Sequence, residues 1–313
     1  METGRRKRSL GSTGLVVDPL CFGTAPLGDP GNFPYTVGEE RGVATARAIF
    51  DGQTNCADTV AGYGESERRL GIALRERGGL PDGFVLMTKV TCRTADGVSA
   101  RDETRRSVER SLQLLGLQRL QIVFLHNPEF STFEKVMAPD GPFEAVRQCM
   151  AEGLVEHVGV AGGEINVMTR CVETGAFEAV LCHNRFTLLN RVANGLWDLA
   201  KKRGMGTLNA AVYGGGILSK GPGTDARYAY MAASPEAIGK AFRLEAICAR
   251  YQVPMAAAAL QLSLREPRVD TTVVGISRPE RVAETIALAQ HLVPDDLWAE
   301  LAAVEPSMED FPS

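Results

Sequence analysis

Along the chain, short apolar and β-branched runs alternate with longer segments whose apolar positions recur every three to four residues. The short runs are LCFGT (20–24), TNCADT (54–59), FVLMTKV (84–90), IVFLHN (122–127), VEHVGV (155–160), AVLCHN (179–184), GTLNAAV (206–212) and TTVVGI (271–276). Their length and residue types predict strands. The longer segments, 38–52, 65–77, 102–116, 141–153, 165–174, 191–203, 254–266 and 279–289, predict helices, several with a glycine stop just past the last apolar residue (Gly78, Gly116, Gly153, Gly204). Eight strand-helix units with near-continuous apolar strands predict an α/β chain folded as a closed (β/α)8 TIM barrel. An open doubly wound sheet that bound a dinucleotide would show G-x-G-x-x-G after an early strand. The glycine-rich run YGGGILSKG (213–221) does not meet that pattern, and no P-loop is present. Residues 5–17 alternate around Gly11 to Gly14 like a hairpin that closes the barrel floor, and 235–251 and 292–304 are helical segments beyond the eightfold count. No linker or composition shift interrupts the chain, so residues 1–313 are expected to form one domain.

Composition narrows the class. A net charge of -4 gives no electrostatic footprint for nucleic acid, and the one basic run, Arg5 to Arg8, reads as a solvated terminus. No apolar stretch approaches the ~20 residues that cross a membrane, and no signal-peptide segment follows the basic start, so a cytoplasmic location is expected. Seven cysteines lie scattered without a C-x-x-C pair, which fits buried thiols in a reducing compartment. The four histidines lack metal-site spacing, and no metal is expected.

In a barrel of this kind the active site lies at the C-terminal ends of the strands. Asp58 falls at the end of the second strand, in ADTVAGYGESE (57–67), with Tyr63 in the glycine-flanked loop that follows. Lys89 falls at the end of the third and His126 at the end of the fourth. Singly, Lys89 could be a snorkelling side chain and His126 a core histidine. Together, on neighbouring strands, they point to proton transfer at a carbonyl or alcohol oxygen. A neighbouring ammonium is expected to lower the phenol's pKa, and Asp58 to supply the counter-charge that a buried ammonium needs. His126 can orient the substrate oxygen. Such a set moves protons but not electrons, so redox chemistry requires a nicotinamide cofactor.

The opening RSLGSTGLVVDPLCFGT, the ADTVAGYGESE loop, MTKV, SVERSLQLLGL followed by VFLH, and the late VVGISRPERVAET together resemble the aldo-keto reductase superfamily over about residues 8–305. The resemblance implies that Asp58, Tyr63, Lys89 and His126 are the catalytic tetrad, with Tyr63 the general acid or base. It also implies an extended NAD(P)(H) across the barrel mouth. Gly23, Thr24, His183, Asn184, Tyr213, Gly214, Gly216, Leu218, Ser219, Gly275, Ser277, Arg278, Arg281, Glu284 and Thr285 stand where the family meets it. Arg278 and Arg281 suit a 2′-phosphate and so favour NADP, with NAD the alternative. Three positions depart from the family. GVAGG replaces the usual Ser-Asn after strand five, His183 stands for a Gln, and Thr285 for an Asn. The grip on the nicotinamide amide is then left either to His183 and Asn184 or to a looser hold.

The runs LHNPE and NRFTLLN are similar to the branch containing D-threo-aldose 1-dehydrogenases, L-galactose dehydrogenases and pyridoxal 4-dehydrogenase. That likeness implies oxidation of a sugar-like hemiacetal to a lactone. The alternatives are an NADPH-dependent aldehyde or ketone reductase, a cofactor-binding regulatory subunit, and a glycosidase pairing Asp58 with Glu129. Phe33, Tyr35, Asn127 and Phe130 are the candidate substrate contacts, although Phe33, Tyr35, Phe130 and Phe133 equally suit packing of their loops. The partner expected is a small carbonyl compound or sugar.

Overall fold

A computed structural model describes residues 6–28, 36–93, 99–223 and 226–310. Among these residues eight parallel strands close into a barrel: β1 Leu20–Gly23, β2 Cys56–Asp58, β3 Val85–Thr91, β4 Leu120–His126, β5 Val155–Gly162, β6 Ala179–His183, β7 Gly206–Ala210 and β8 Thr271–Gly275. Consecutive strands pair, and β8 joins both β7 and β1 to shut the ring. Each strand leads to an outer helix: α1 Glu39–Phe50, α2 Ser66–Arg77, α3 Ala100–Leu115, α4 Pro142–Ala151, α5 Ile165–Glu173, α6 Asn194–Lys202, α7 Met255–Arg265 and α8 Glu280–Gln290. The expected (β/α)8 barrel is therefore the fold. The two expected additional helices are Pro235–Arg250, before α7, and Asp295–Ala302, after α8; single-turn helices Phe133–Val136 and Ile217–Lys220 also stand among the described residues.

Local sequence explains these elements. In α3 the buried residues Thr104, Val108, Ser111 and Leu115 recur at intervals of four, three and four, which puts one stripe against the barrel. Ser99 caps its start by accepting from the Asp102 amide. Gly116 ends it at φ 70°, a left-handed position that a glycine takes without a Cβ clash.

The strands have two buried faces and therefore two cores. Outward residues such as Leu86, Val90, Val123 and Leu125 meet the helices, while Cys56, Val85, Met87, Ile122, Phe124, Leu181 and Leu208 fill the lumen. The N-terminal hairpin, Arg8–Ser9 paired with Val16–Val17, plugs the floor with Leu10 and Val17.

The period of two along each strand also decides what reaches the upper rim. Asp58 follows Cys56 on the lumen face of β2, Lys89 follows Met87 on β3, His126 follows Phe124 on β4, and His183 follows Leu181 on β6. On β1, β5, β7 and β8 the corresponding upper residues are Gly23, Ala161, Ala210 and Gly275. Large polar groups cluster on β2, β3 and β4, with His183 on β6, while β7, β8 and β1 carry only small residues, which leaves room at the mouth.

Candidate active site

Asp58, Lys89, Tyr63 and His126 come together at this rim. Lys89 lies two residues before the end of its strand, close to where MTKV placed it. β3 runs on through Thr91, and Lys89 rises from within the barrel, only 2% exposed. Its Nζ donates to Asp58 Oδ2 at 2.7 Å and to the Thr59 carbonyl at 2.8 Å, and it lies 5.2 Å from the centre of the Tyr63 ring. His126 stands edge-on to that ring, 6.2 Å between centroids and 87° between planes. The loop geometry follows from local bonds: the Tyr63 amide donates to the Val60 carbonyl, and the Tyr63 carbonyl accepts from Ser66 at the start of α2.

The electrostatics correct one expectation. Burial raises the Tyr63 phenol above its ordinary value, and Lys89 only partly offsets this, so the net shift is upward. Burial also draws the Lys89 ammonium down, but the charges of Asp58 and Tyr63 outweigh it and hold the amine protonated. Burial pushes the Asp58 carboxyl up against the pull of Lys89. His126 falls well below its usual range through burial and the nearby Lys89 charge, so it is a neutral hydrogen-bonding group at pH 7. The cluster is a neutral acid and a neutral imidazole beside a fixed ion pair.

The rest of the rim accounts for the other candidates. His183 and Asn184 end β6. Burial, then the Arg185 charge, pulls the His183 imidazole down to about 4. Asn184 Nδ2 lies 3.2 Å from His183 Nδ1, so the neutral ring accepts there and carries its proton on Nε2. Asn184 Oδ1 is buried with no hydrogen-bond partner among the described residues, as are Tyr213 Oη, Asn127 Oδ1 and Thr285 Oγ1. After β7, Gly214, Gly215 and Gly216 all take positive φ, with Gly214 buried and Gly215 exposed. Ser219 closes this turn onto the Gly216 carbonyl. Leu218, in contrast, is fully buried in the core beneath helix Pro235–Arg250 and does not line the mouth with its side chain. The Thr24 hydroxyl is committed to the scaffold: it donates to the Asp58 carbonyl and accepts from Ser66.

At the start of α8, Arg278 and Arg281 stand beside Ser277, but their charge is already met. Arg278 makes a two-pronged contact with Glu284 at 2.8 and 2.9 Å, and Arg281 lies 3.7 Å from the same carboxylate. Phe33 and Tyr35 lie outside the described residues. Phe130 is exposed, while Phe133 packs under Arg170 at 4.1 Å and so secures its own loop.

Several contacts at the rim were not legible from sequence, although Glu129 and GVAGG were themselves noted. Glu129 Oε1 accepts from the Gly163 amide at 2.7 Å. A Cβ on Gly162 would come 2.6 Å from Glu129 Oε2 and 2.8 Å from Met168 Sδ. That crowding is the physical reason why GVAGG carries no side chain at residue 162. The fully buried Arg185 donates to Asp310 at 3.0 Å, and Asp310 also accepts from Ile165 at the start of α5, so the C-terminal tail straps the loop after β6. Tyr228 and Tyr230 stand on a two-stranded hairpin, Arg227–Tyr228 with Met231–Ala232. No periodic signal marks any of these, because each depends on a contact across the fold.

Comparison with known proteins agrees with this architecture. Residues 19–306 match the model of the aldo/keto reductase family. The chain is 29% identical to pyridoxal 4-dehydrogenase of Microbacterium luteolum, covering 94% of this chain and 96% of that one. It is also 29% identical to D-threo-aldose 1-dehydrogenase of a Pseudomonas species, covering 93% and 95%. L-galactose dehydrogenase of Arabidopsis thaliana is 27% identical over 91% of this chain and 88% of its own. Among solved structures, an aldo-keto reductase from Bacillus halodurans superposes with a TM-score of 0.77 over 98% of each chain at 20% identity, which speaks for the fold. The chain belongs to the aldo/keto reductase family and is an NAD(P)-dependent oxidoreductase.

Proposed function

We propose that Asp58, Tyr63, Lys89 and His126 carry the proton transfer of this oxidoreductase, and that its substrate is a sugar-like hemiacetal oxidised at the carbon bearing the hydroxyl. The observation that carries the reading is the Lys89 ammonium, held between the Asp58 carboxylate at 2.7 Å and the Tyr63 ring in a buried setting. A phenol so placed exchanges a proton with the substrate oxygen, while the neutral His126 donates a hydrogen bond that orients it. The nicotinamide cofactor, when bound, accepts or supplies the hydride.

The residues present fit that cofactor. Small upper residues on β1, β5, β7 and β8 leave it space, the Gly215 and Gly216 backbone, which solvent reaches, suits a pyrophosphate, and the unpartnered Asn184 and Tyr213 atoms offer polar contacts. Gly23, Thr24 and Gly275 line the same mouth. Arg278 and Arg281, with Ser277, would hold a 2′-phosphate, which supports NADP over NAD. The relatives named for D-threo-aldose and L-galactose support a sugar, with Asn127 and Phe130 beside it. All seven cysteines are buried and free, which suits a cytoplasmic enzyme.

A panel of free aldoses with NADP⁺ or NAD⁺, followed at the nicotinamide absorbance, tests the reading. A free aldose should be oxidised and its methyl glycoside, which lacks the anomeric hydroxyl, should not. Equal turnover of both would overturn it. The raised Tyr63 phenol supports a second reading, reduction of aldehydes or ketones with NADPH, because it keeps the acid protonated at neutral pH. Turnover of simple aldehydes with NADPH, with no oxidation of any free aldose, would select that second reading.

A further inference from the structure

The hairpin Arg227–Tyr228 with Met231–Ala232 lies outside the eightfold pattern and takes no part in the proton relay. Its two-residue turn is Ala229 and Tyr230, with φ of 51° and 70°. Turns of this hand are normally built from Asn-Gly, because side chains are strained there. Retained strain directs attention to what the hairpin touches.

It touches one residue above all. The Tyr228 hydroxyl donates to the Asn184 carbonyl at 2.9 Å and lies 3.0 Å from Thr187 Oγ1. The Tyr228 ring occupies the space where a Cβ on Gly214 would stand, 2.5 Å away, so the glycine loop is cut back to receive it. Asn184 is itself left-handed, at φ 62°, and fully buried. Asn is one of the few non-glycine residues that adopt this conformation readily, and here the carbonyl it presents is held by Tyr228. The Asn184 side chain turns to His183 and leaves Oδ1 unpartnered, and the Tyr230 ring stands edge-on to His183 at 6.3 Å between centroids. Asn184 Oδ1 is an acceptor and His183 Nε2 carries a proton, which together complement a primary carboxamide with its one NH₂ and one oxygen. The loop after β5, where GVAGG carries no polar side chain, cannot offer that pair.

Building on the function proposed above, we infer that this hairpin completes the nicotinamide-holding face. Tyr228 is a positioning residue that fixes the Asn184 backbone and so aims the Asn184 amide and the His183 imidazole at the carboxamide. Tyr230, itself more than half exposed, meets His183 edge-on and hydrogen-bonds the Asn184 side chain.

Calorimetric titration of the full-length protein tests this without turnover. The probes are the preferred dinucleotide and the matching ADP-ribose, with a 2′-phosphate where NADP is preferred, which lacks only the nicotinamide. Tyr228→Phe keeps the ring against Gly214 and removes the hydroxyl. It should bind the dinucleotide about tenfold more weakly and the ADP-ribose as wild type does, as expected for one lost hydrogen bond. Thr187→Val, which removes the hydroxyl's other neighbour, should change dinucleotide affinity by less than about threefold. Equal effects of Tyr228→Phe on both nucleotides, no effect on either, or a Thr187→Val loss as large as that of Tyr228→Phe would overturn the inference. A wild-type protein that binds neither nucleotide would instead overturn the functional reading on which it rests.

Discussion

Two ion pairs of almost the same length sit at the two ends of the barrel mouth and behave as different objects. Lys89 and Asp58 meet at 2.7 Å with side chains 2% and 7% exposed, whereas Arg278 and Glu284 meet at 2.8 Å with side chains 36% and 44% exposed. Taking the first pair out of water costs several kcal/mol per ion, and their attraction and the Thr59 carbonyl offset it only while both partners remain. That pair is a permanent fixture that sets the electrostatics of Tyr63. The second pair is bathed in solvent and screened by salt, so either partner can be surrendered to a ligand. Geometry alone does not distinguish a charge that shapes chemistry from one that waits for an anion; burial does.

Breaking the buried pair should have the largest effect. Lys89→Met leaves Asp58 without its partner and Tyr63 without the cation that opposes its upward shift. Removing one member of such a pair costs about 3–5 kcal/mol, and chemical denaturation should read a loss of that size. Turnover should fall by more than ~1000-fold, since both the positioning of the phenol and its proton affinity change. Any remaining oxidation should need a higher pH than in wild type. A variant of near wild-type stability and pH profile would show that the pair carries no such coupling.

Tyr63→Phe should come next, because it removes the proton donor proposed above and leaves the ion pair intact. We expect turnover to drop at least ~100-fold with stability and nucleotide affinity preserved. In the wild type, the raised phenol fixes the sign of the pH dependence. For reduction Tyr63 is the acid and is protonated throughout the neutral range, so kcat/KM should be flat from about pH 6 to 9. For oxidation the phenolate is the base, so kcat/KM should climb with pH and reach no plateau below about pH 10. An oxidative profile that levels off near pH 7 would mean that another group takes the proton.

Much of this architecture was legible in the sequence, and the parts that were not share a cause. Each of the eight strand patterns matches a barrel strand to within two residues at either end, because alternation and apolar runs are local properties. The meeting of Asp58, Lys89 and His126 at the rim was legible for the same reason: they continue the lumen-facing series of their own strands. The burial of Lys89 was not, since a strand pattern does not show how far the neighbouring loops close over it. The upward shift of Tyr63 was missed because a loop motif tells which charges are near but not how much water is excluded. The hairpin bearing Tyr228 has two-residue strands and an Ala-Tyr turn, which carry no turn signature. Arg185 and Asp310 are 125 residues apart, and Glu129 meets Gly162 only after the barrel has closed.

At the exposed end the effects should be smaller and selective. Replacing both Arg278 and Arg281 with Ala should weaken NADP(H) by about 10- to 100-fold, through lost charge-assisted bonds to the 2′-phosphate, and leave NAD(H) within about twofold. Equal weakening of both dinucleotides would mean that the arginines serve the fold of α8 and not the phosphate.

The sharpest use of the comparison is also its smallest effect. Glu284 holds Arg278 with both oxygens and lies 3.7 Å from Arg281, so a 2′-phosphate must displace a carboxylate before it gains either cation. Glu284→Gln keeps the size and a hydrogen-bonding end but removes that competing charge. Because the pair is solvent-exposed the gain should be modest, about two- to fivefold tighter binding of NADP(H), and it should shrink as salt is raised, since screening already weakens the competition. NAD(H), which offers no phosphate there, should be unaffected or slightly weakened if Glu284 also meets the adenine. Isothermal titration at low and high ionic strength reads both arms. If Glu284→Gln weakens NADP(H) and NAD(H) alike, the carboxylate positions Arg278 for the nucleotide instead of competing with it, and the surface pair is closer in kind to the buried one than its exposure implies.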